Sequence, residues 1–192
     1  MNTISVMIVG VGGQGTLLAS KVLGQALVSM DYDVKVSEVH GMSQRGGSVV
    51  TYVRYGEEVH SPIVDLGQAD YMLAFEPLEA ARYLPYLKKD GVIITNTRET
   101  MPMPVITGAA AYPENIVEKL KARANVVALD AMVLALEAGN AKAVNMVLMG
   151  VLASRMDLPE EVWQAALAKQ VPAKFLELNR RAFALGQAQK GV

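Results

Sequence analysis

Apolar residues recur along the chain in two alternating rhythms. Residues 4–9 form a short, nearly continuous apolar run ending in glycine, as expected of a buried central strand. From Thr16 the rhythm changes: Leu17, Leu18, Val22, Leu23, Ala26 and Leu27 recur at spacings of three and four, predicting a helix to about Met30. Residues 34–39 read as a second strand. Residues 48–55, rich in β-branched and aromatic side chains, read as a third. Gly56-Glu57-Glu58 predicts a turn into a further extended piece, residues 59–64, and so a hairpin at the edge of the sheet.

The same alternation continues. Residues 71–75 predict a core strand, and Glu76-Pro77 opens a helix through Leu78, Ala81, Leu84 and Leu87, with proline in the first turn where its missing N–H had no partner. Asp90-Gly91 ends that helix in this reading, and residues 92–95 form another buried strand. Residues 96–108, with Pro102 and Pro104, read as a loop or short edge strand. A helix over 113–124 and a strand over 126–129 follow. Residues 130–138 and 141–156 are helical in pattern, and Pro159 and Pro172 mark the first turns of two more helices. The expected fold is α/β: a doubly wound, mainly parallel, Rossmann-like sheet with an edge hairpin and a helical C-terminal segment. Residues 1–192 are expected to form one domain, with 1–130 the α/β core and 131–192 its helical part.

Composition narrows the function classes. The chain carries 18 Lys and Arg against 19 Asp and Glu, so no basic field favours nucleic acid. It has no cysteine, which excludes a disulfide, a thiolate nucleophile and Cys-held zinc or iron–sulfur clusters on this chain. Its hydrophobic fraction, 52%, is high for its size, which fits either a fully buried parallel sheet or apolar surface covered by a partner chain. The N-terminal residues lack the basic and apolar regions of a signal peptide, and no apolar run approaches the roughly 20 residues of a membrane span. The expectation is a cytoplasmic protein with no membrane or nucleic-acid partner.

Two glycine-rich loops carry the candidate chemistry. In the first, Gly10, Gly12 and Gly15 match G-x-G-x-x-G between a strand and a helix, with Gly13, Gln14 and Thr16 among them. Backbone without side chains lets a ligand approach closely, and N–H groups at the helix start can donate to anionic oxygens. Glu38, near the end of the second strand, would then accept from a ribose hydroxyl, so spacing alone permits a free-standing NAD- or FAD-binding oxidoreductase. The same glycines equally suit a tight turn and close helix packing. The second loop runs His40-Gly41-Met42-Ser43-Gln44-Arg45-Gly46-Gly47. The Arg45 guanidinium can offer a bidentate fork to a phosphate, a carboxylate or a partner's acidic side chain, and His40 adds a group that exchanges a proton near neutral pH. Both loops are expected at the C-terminal ends of adjacent strands, side by side. No group of His, Asp and Glu has metal-ligand spacing. The paired acids Glu57-Glu58 and Glu160-Glu161 read as solvated, and the eleven methionines as core.

The first loop followed by Ser37-Glu38-Val39 and the second loop through Val49 resembles the gamma subunit or domain of 2-oxoacid:ferredoxin oxidoreductases. The His-Gly-Met-Ser-Gln-Arg-Gly-Gly form is most similar to the indolepyruvate branch of that family. Ala69-Asp70, Phe75-Glu76 and residues 145–150 extend the resemblance over essentially the whole chain. It implies a partner subunit holding thiamine diphosphate and iron–sulfur clusters, oxidative decarboxylation of a 2-oxo acid, electrons passed one at a time to ferredoxin, and release of the acyl group to coenzyme A. On that resemblance this chain has no catalytic residue of its own and is inactive alone. It closes the active-site region through Gly10, Gly12, Gly13 and Gly15, with Gln14 and Thr16 as donors and Arg45 meeting a phosphate or a partner carboxylate. Whether the loops touch coenzyme A, thiamine diphosphate or only the partner stays open, as does homodimerisation of the isolated chain.

Overall fold

A computed structural model describes residues 3–41 and 46–189. The chain begins with β1 (Ile4–Val11), α1 (Thr16–Val28), β2 (Asp33–His40), β3 (Ser48–Gly56) and β4 (Ala69–Ala74). Then come α2 (Pro77–Tyr83), β5 (Leu87–Asn96), the single-turn α3 (Met103–Ile106), α4 (Ile116–Lys121) and β6 (Asn125–Leu129). The chain closes with α5 (Ala131–Ala138), α6 (Val144–Ala153), α7 (Glu160–Gln170) and α8 (Leu176–Gln187).

The strands form one six-stranded sheet in the order β2-β3-β1-β4-β5-β6. β1, β4, β5 and β6 pair in parallel, whereas β3 runs antiparallel to both β1 and β2. Strand alternation splits the apolar residues of β1 between two cores. Val6 and Ile8 face a large layer built from α1 and α5 to α8, while Met7 and Val9 face a smaller one under α2 and α4. Residues 145–153 of α6 are all buried, so this helix lies between the sheet and the outer helices. It meets α8 at two glycines: a Cβ built on Gly150 would sit 2.0 Å from the Phe183 carbonyl oxygen, and one on Gly186 2.0 Å from that of Val147. Beside the crossing, the Trp163 and Phe183 rings meet at a tilt of 44°, 5.6 Å between centroids.

Three expectations need correction. The edge hairpin is β2–β3, not residues 48–55 with 59–64. Both edges of β3 are occupied by β1 and β2, and Pro62 lacks a donor for a ladder. The 59–64 segment is held instead by side chains: Val59 N–H donates to Asp33 at 2.8 Å, and Arg54 donates to the carbonyls of Ser61 and Ile63, each at 3.0 Å. The helix after Glu76 stops at Tyr83 rather than Leu87, since Pro85 cannot continue it and a 3₁₀ turn, Leu84–Tyr86, leads directly into β5. Asp90-Gly91 is therefore an irregularity within a strand, where the pairing with β4 shifts register.

Candidate functional site

The first glycine loop is the turn between β1 and α1. Gly13 and Gly15 have φ of 102° and 86°, in the left-handed region that glycine occupies freely. The two positions differ in their surroundings. A Cβ on Gly15 would lie 2.6 Å from the Asn145 amide nitrogen, which donates to the Gly15 carbonyl at 3.3 Å, whereas one on Gly13 would meet nothing within 4 Å. Gly10 is likewise a packing glycine, because a Cβ there would approach Gln14 at 2.7 Å and Phe75 at 3.0 Å. Gln14 turns inward: its side-chain oxygen accepts from Val11 N–H at 2.8 Å and its amide donates to Thr100 at 3.4 Å. Thr16 is buried beneath the loop.

The second loop joins β2 to β3, and its last residues are hydrogen-bonded to the first loop. Gly12 N–H donates to the Gly47 carbonyl at 2.9 Å and Gly46 N–H to the Gly12 carbonyl at 3.3 Å. The two loops thus lie side by side, but not because their strands are adjacent: β3 stands between β1 and β2. Glu38 is consequently displaced from β1 by two strand spacings, roughly 10 Å. Its carboxylate accepts from the Thr51 hydroxyl at 3.4 Å and lies 3.6 Å from His40 Nδ1. Gly41 is exposed at the end of β2. Met42, Ser43, Gln44 and Arg45 lie outside the described residues.

Two clefts flank the first loop. On the β2 side, a cleft of about 400 Å³ is lined by Gly12, Gly13, Gly15, Glu38, His40 and Leu17. On the β4 side, a larger one of about 590 Å³ is lined by the same glycine turn with Phe75, Asn96, Arg98, Thr100 and Lys142. The second cleft opens between β1 and β4, where the chain reverses its direction of travel across the sheet and ligands of open α/β folds commonly bind.

Sequence reading missed the group that shapes the wall of that cleft. Glu76, at the end of β4, is buried at 1% exposure and caps α2 by accepting from Glu79 N–H at 3.0 Å. Its other carboxylate oxygen accepts from Thr100 N–H at 3.3 Å and from the Tyr112 hydroxyl. One buried carboxylate therefore pins both ends of the segment between residues 100 and 112. That segment exposes Met101, Met103 and Ile106. Burial holds the Glu76 carboxyl above its ordinary value despite these donors, and burial together with Glu76 pushes the Tyr112 phenol up. Next to it, Glu79 accepts from the Ser48 hydroxyl and from Arg82, tying α2 to the residue that follows the second loop. The available signal was Phe75-Glu76-Pro77, an acid at a strand end directly before a helix-starting proline.

The architecture defines a class. The gamma subunit of a keto/oxoacid ferredoxin oxidoreductase from Geobacter sulfurreducens has the same fold, with a TM-score of 0.72 at 23% identity over 97% of both chains. The 2-oxoglutarate:ferredoxin oxidoreductase of Magnetococcus marinus, solved with 2-oxoglutarate, coenzyme A and succinyl-CoA bound, contains that fold within a longer chain. It matches 98% of this chain and 31% of its own, with a TM-score of 0.67 at 16% identity. In sequence, the indolepyruvate oxidoreductase subunit IorB of Thermococcus kodakarensis is 46% identical over 97% of this chain and 95% of its own. Residues 5–189 match the pyruvate ferredoxin/flavodoxin oxidoreductase family model. The chain belongs to this family and is a subunit of a 2-oxoacid ferredoxin oxidoreductase.

Proposed function

We propose that this chain is the non-catalytic subunit of a complex that oxidises an arylpyruvate, indolepyruvate in the first instance, to the acyl-CoA and carbon dioxide, with two electrons passed singly to ferredoxin. The substrate class is supported by the relationship to indolepyruvate oxidoreductase subunits. Thiamine diphosphate and iron–sulfur clusters on the partner subunit supply the decarboxylation and the electron path. This chain has no cysteine to hold a cluster, and its described residues contain no cluster of three or more potential metal ligands.

The observation that carries the reading is the hydrogen-bonded pairing of the two glycine loops at the C-terminal edge of the sheet. It gives one continuous surface of backbone and small side chains, from Gly12 and Gly13 to Gly46 and Gly47, which a partner's active-site rim or a coenzyme A molecule can approach closely. Gly10 and Gly15 hold the turn's shape, Gln14 braces it from within, and Gly41 and His40 flank its second half. Arg45 supplies the cation that meets a phosphate or a partner carboxylate. No helix among the described residues is long and apolar enough to cross a membrane.

The test is reconstitution. The chain alone should show no arylpyruvate-dependent reduction of ferredoxin. Co-expressed with its partner, it should purify as a complex containing thiamine diphosphate and iron whose turnover requires coenzyme A. Turnover by the chain alone, or a partner fully active without it, contradicts the reading. Arg45→Ala should lower the yield of complex or raise the KM for coenzyme A.

A further inference from the structure

We infer that the groove between α2 and α4 is a binding site for a small apolar carboxylate, its hydrocarbon body seated between the helices and its charge met by Lys119 and Arg123. The two faces of the sheet are covered unequally. The larger core lies under α1 and α5 to α8, whereas the smaller one lies under α2 and α4, of only seven and six residues. So short a roof leaves a gap of about 250 Å³ along the helix pair. Leu78, Ala81 and Leu84, three residues apart, form one wall, and Ile116 and Leu120, four apart, form the other. Ile116 and Leu120 are buried in the core below, while Leu78, Ala81 and Leu84 are only partly covered. None of the residues lining this groove lines either cleft beside the glycine turn.

The charge at the groove is one-sided. Lys119 on α4 and Arg123 just past its end stand one helical turn apart, both exposed and both lining the groove, and no acid lines it with them. Neither side chain has a hydrogen-bond or ion-pair partner among the described residues. The nearby charges are engaged elsewhere: Arg82 pairs with Glu79, and Glu118 and Lys121 line a different groove on the far side of α4. Two free cations beside an apolar recess suit an anion at one end of an apolar body. The guanidinium offers a fork to a carboxylate, the ammonium adds a second charge, and the aliphatic stems of both prolong the wall. The volume sets the size. Sites for drug-sized ligands begin at roughly 300 Å³, so this groove takes one ring system or a short chain rather than a nucleotide. The shared chemistry is a carboxylate on a compact apolar body, met in an aryl carboxylic acid or in a medium-chain fatty acid. The inference stands on the groove and is independent of the reaction proposed above.

The test is titration calorimetry of the full-length chain, alone and in complex with its partner. The probes are indole-3-acetate and decanoate, with indole and acetate as controls that each lack one of the two contacts. At least one of the two amphipathic carboxylates should bind, more weakly at higher salt, and indole and acetate should bind at least tenfold more weakly still. Binding of indole-3-acetate alone identifies an aryl acid; binding of decanoate alone identifies a fatty acid. Ala81→Trp should abolish binding by filling the groove, with an unfolding curve checking that the fold is kept. Arg123→Glu, at an exposed position, should weaken binding at least tenfold, and Lys121→Glu, across α4, should leave it unchanged. In the complex, the groove's share of the heat is the part that Arg123→Glu removes. Absence of binding by both carboxylates in both forms of the protein, or affinity indifferent to both Ala81→Trp and Arg123→Glu, overturns the inference. Binding by the free chain that vanishes in the complex overturns it too, and would make the groove a contact between subunits.

Discussion

The crossing of α6 and α8 and the turn between β1 and α1 both depend on glycine, for opposite reasons. At the crossing, Gly150 and Gly186 are ordinary helical residues whose only requirement is space, since a methyl group on either would sit 2.0 Å from a backbone carbonyl oxygen of the other helix. At the turn, Gly13 has space to spare and is required for its positive φ. A glycine with no room fixes the fold; one with open room leaves backbone exposed for something else to touch. The core was settled by packing, and the C-terminal edge of the sheet by polar ties that leave its loops accessible.

The largest effect should come from filling the crossing. Neither helix can yield locally, because α6 is buried from Asn145 to Ala153 and α8 packs Ala182 and Phe183 into the same layer. Gly150→Ala or Gly186→Ala should cost about 3 kcal/mol or more, the upper end for overpacking. In a chain of this size that lowers Tm by about 6–12 °C. Urea unfolding measures it, and a loss under about 1 kcal/mol would show that the helices part easily and that the contrast with the turn is false.

Next comes Glu76, the buried acid that joins the edge to the core. Glu76→Ala leaves the Tyr112 hydroxyl and the α2 cap without their acceptor while relieving a buried carboxylate, for an expected net loss of about 2 kcal/mol. Glu76→Gln keeps an acceptor and should cost about half as much. The pH dependence separates the two effects. The folded-state value lies above the ordinary 4.5, so this group's stabilising contribution is fully present below that value and is lost as pH rises through the raised one. The advantage of the wild type over Glu76→Gln should therefore grow as pH falls from neutral toward 4.5. A constant difference would mean that the three donors and burial balance, and a shrinking one that Glu76 gains more from its donors than it loses by burial.

What could be read in the sequence follows the same division. The apolar rhythms located β1, α1 and β6 to within a few residues, because burial on one face imposes the period directly. The glycine loops were visible as motifs, and their juxtaposition was expected, but for the wrong reason: nothing local in residues 48–55 says that this strand will insert between β1 and β2. The β4-side cleft was invisible. Gly15 meets Asn145, 130 positions away, and Arg98 shares a cleft with Lys142 only because the end of β5 lies beside the corner between α5 and α6. Such sites are made by topology, and no spacing rule records them. Phe75-Glu76-Pro77 was partly legible as a helix start, although its role as a clip depends on Thr100 and Tyr112, which arrive from separate loops.

The smallest effect on stability, and the sharpest check of the contrast, is expected at Gly13. An alanine there meets no atom within 4 Å, so its cost is backbone strain alone, about 1–2 kcal/mol for a side chain held at positive φ. That is at most about two-thirds of what the crossing should lose for the same methyl group. The methyl would, however, stand at the turn shared by both clefts, beside the open N–H groups. Gly13→Ala should therefore raise the KM of the complex for coenzyme A by a larger factor than its modest shift in unfolding midpoint would suggest, while Gly150→Ala, if it folds, should leave that KM intact. Equal stability losses at the two positions would erase the distinction between glycine kept for space and glycine kept for conformation. An unchanged KM in Gly13→Ala would place coenzyme A away from the turn.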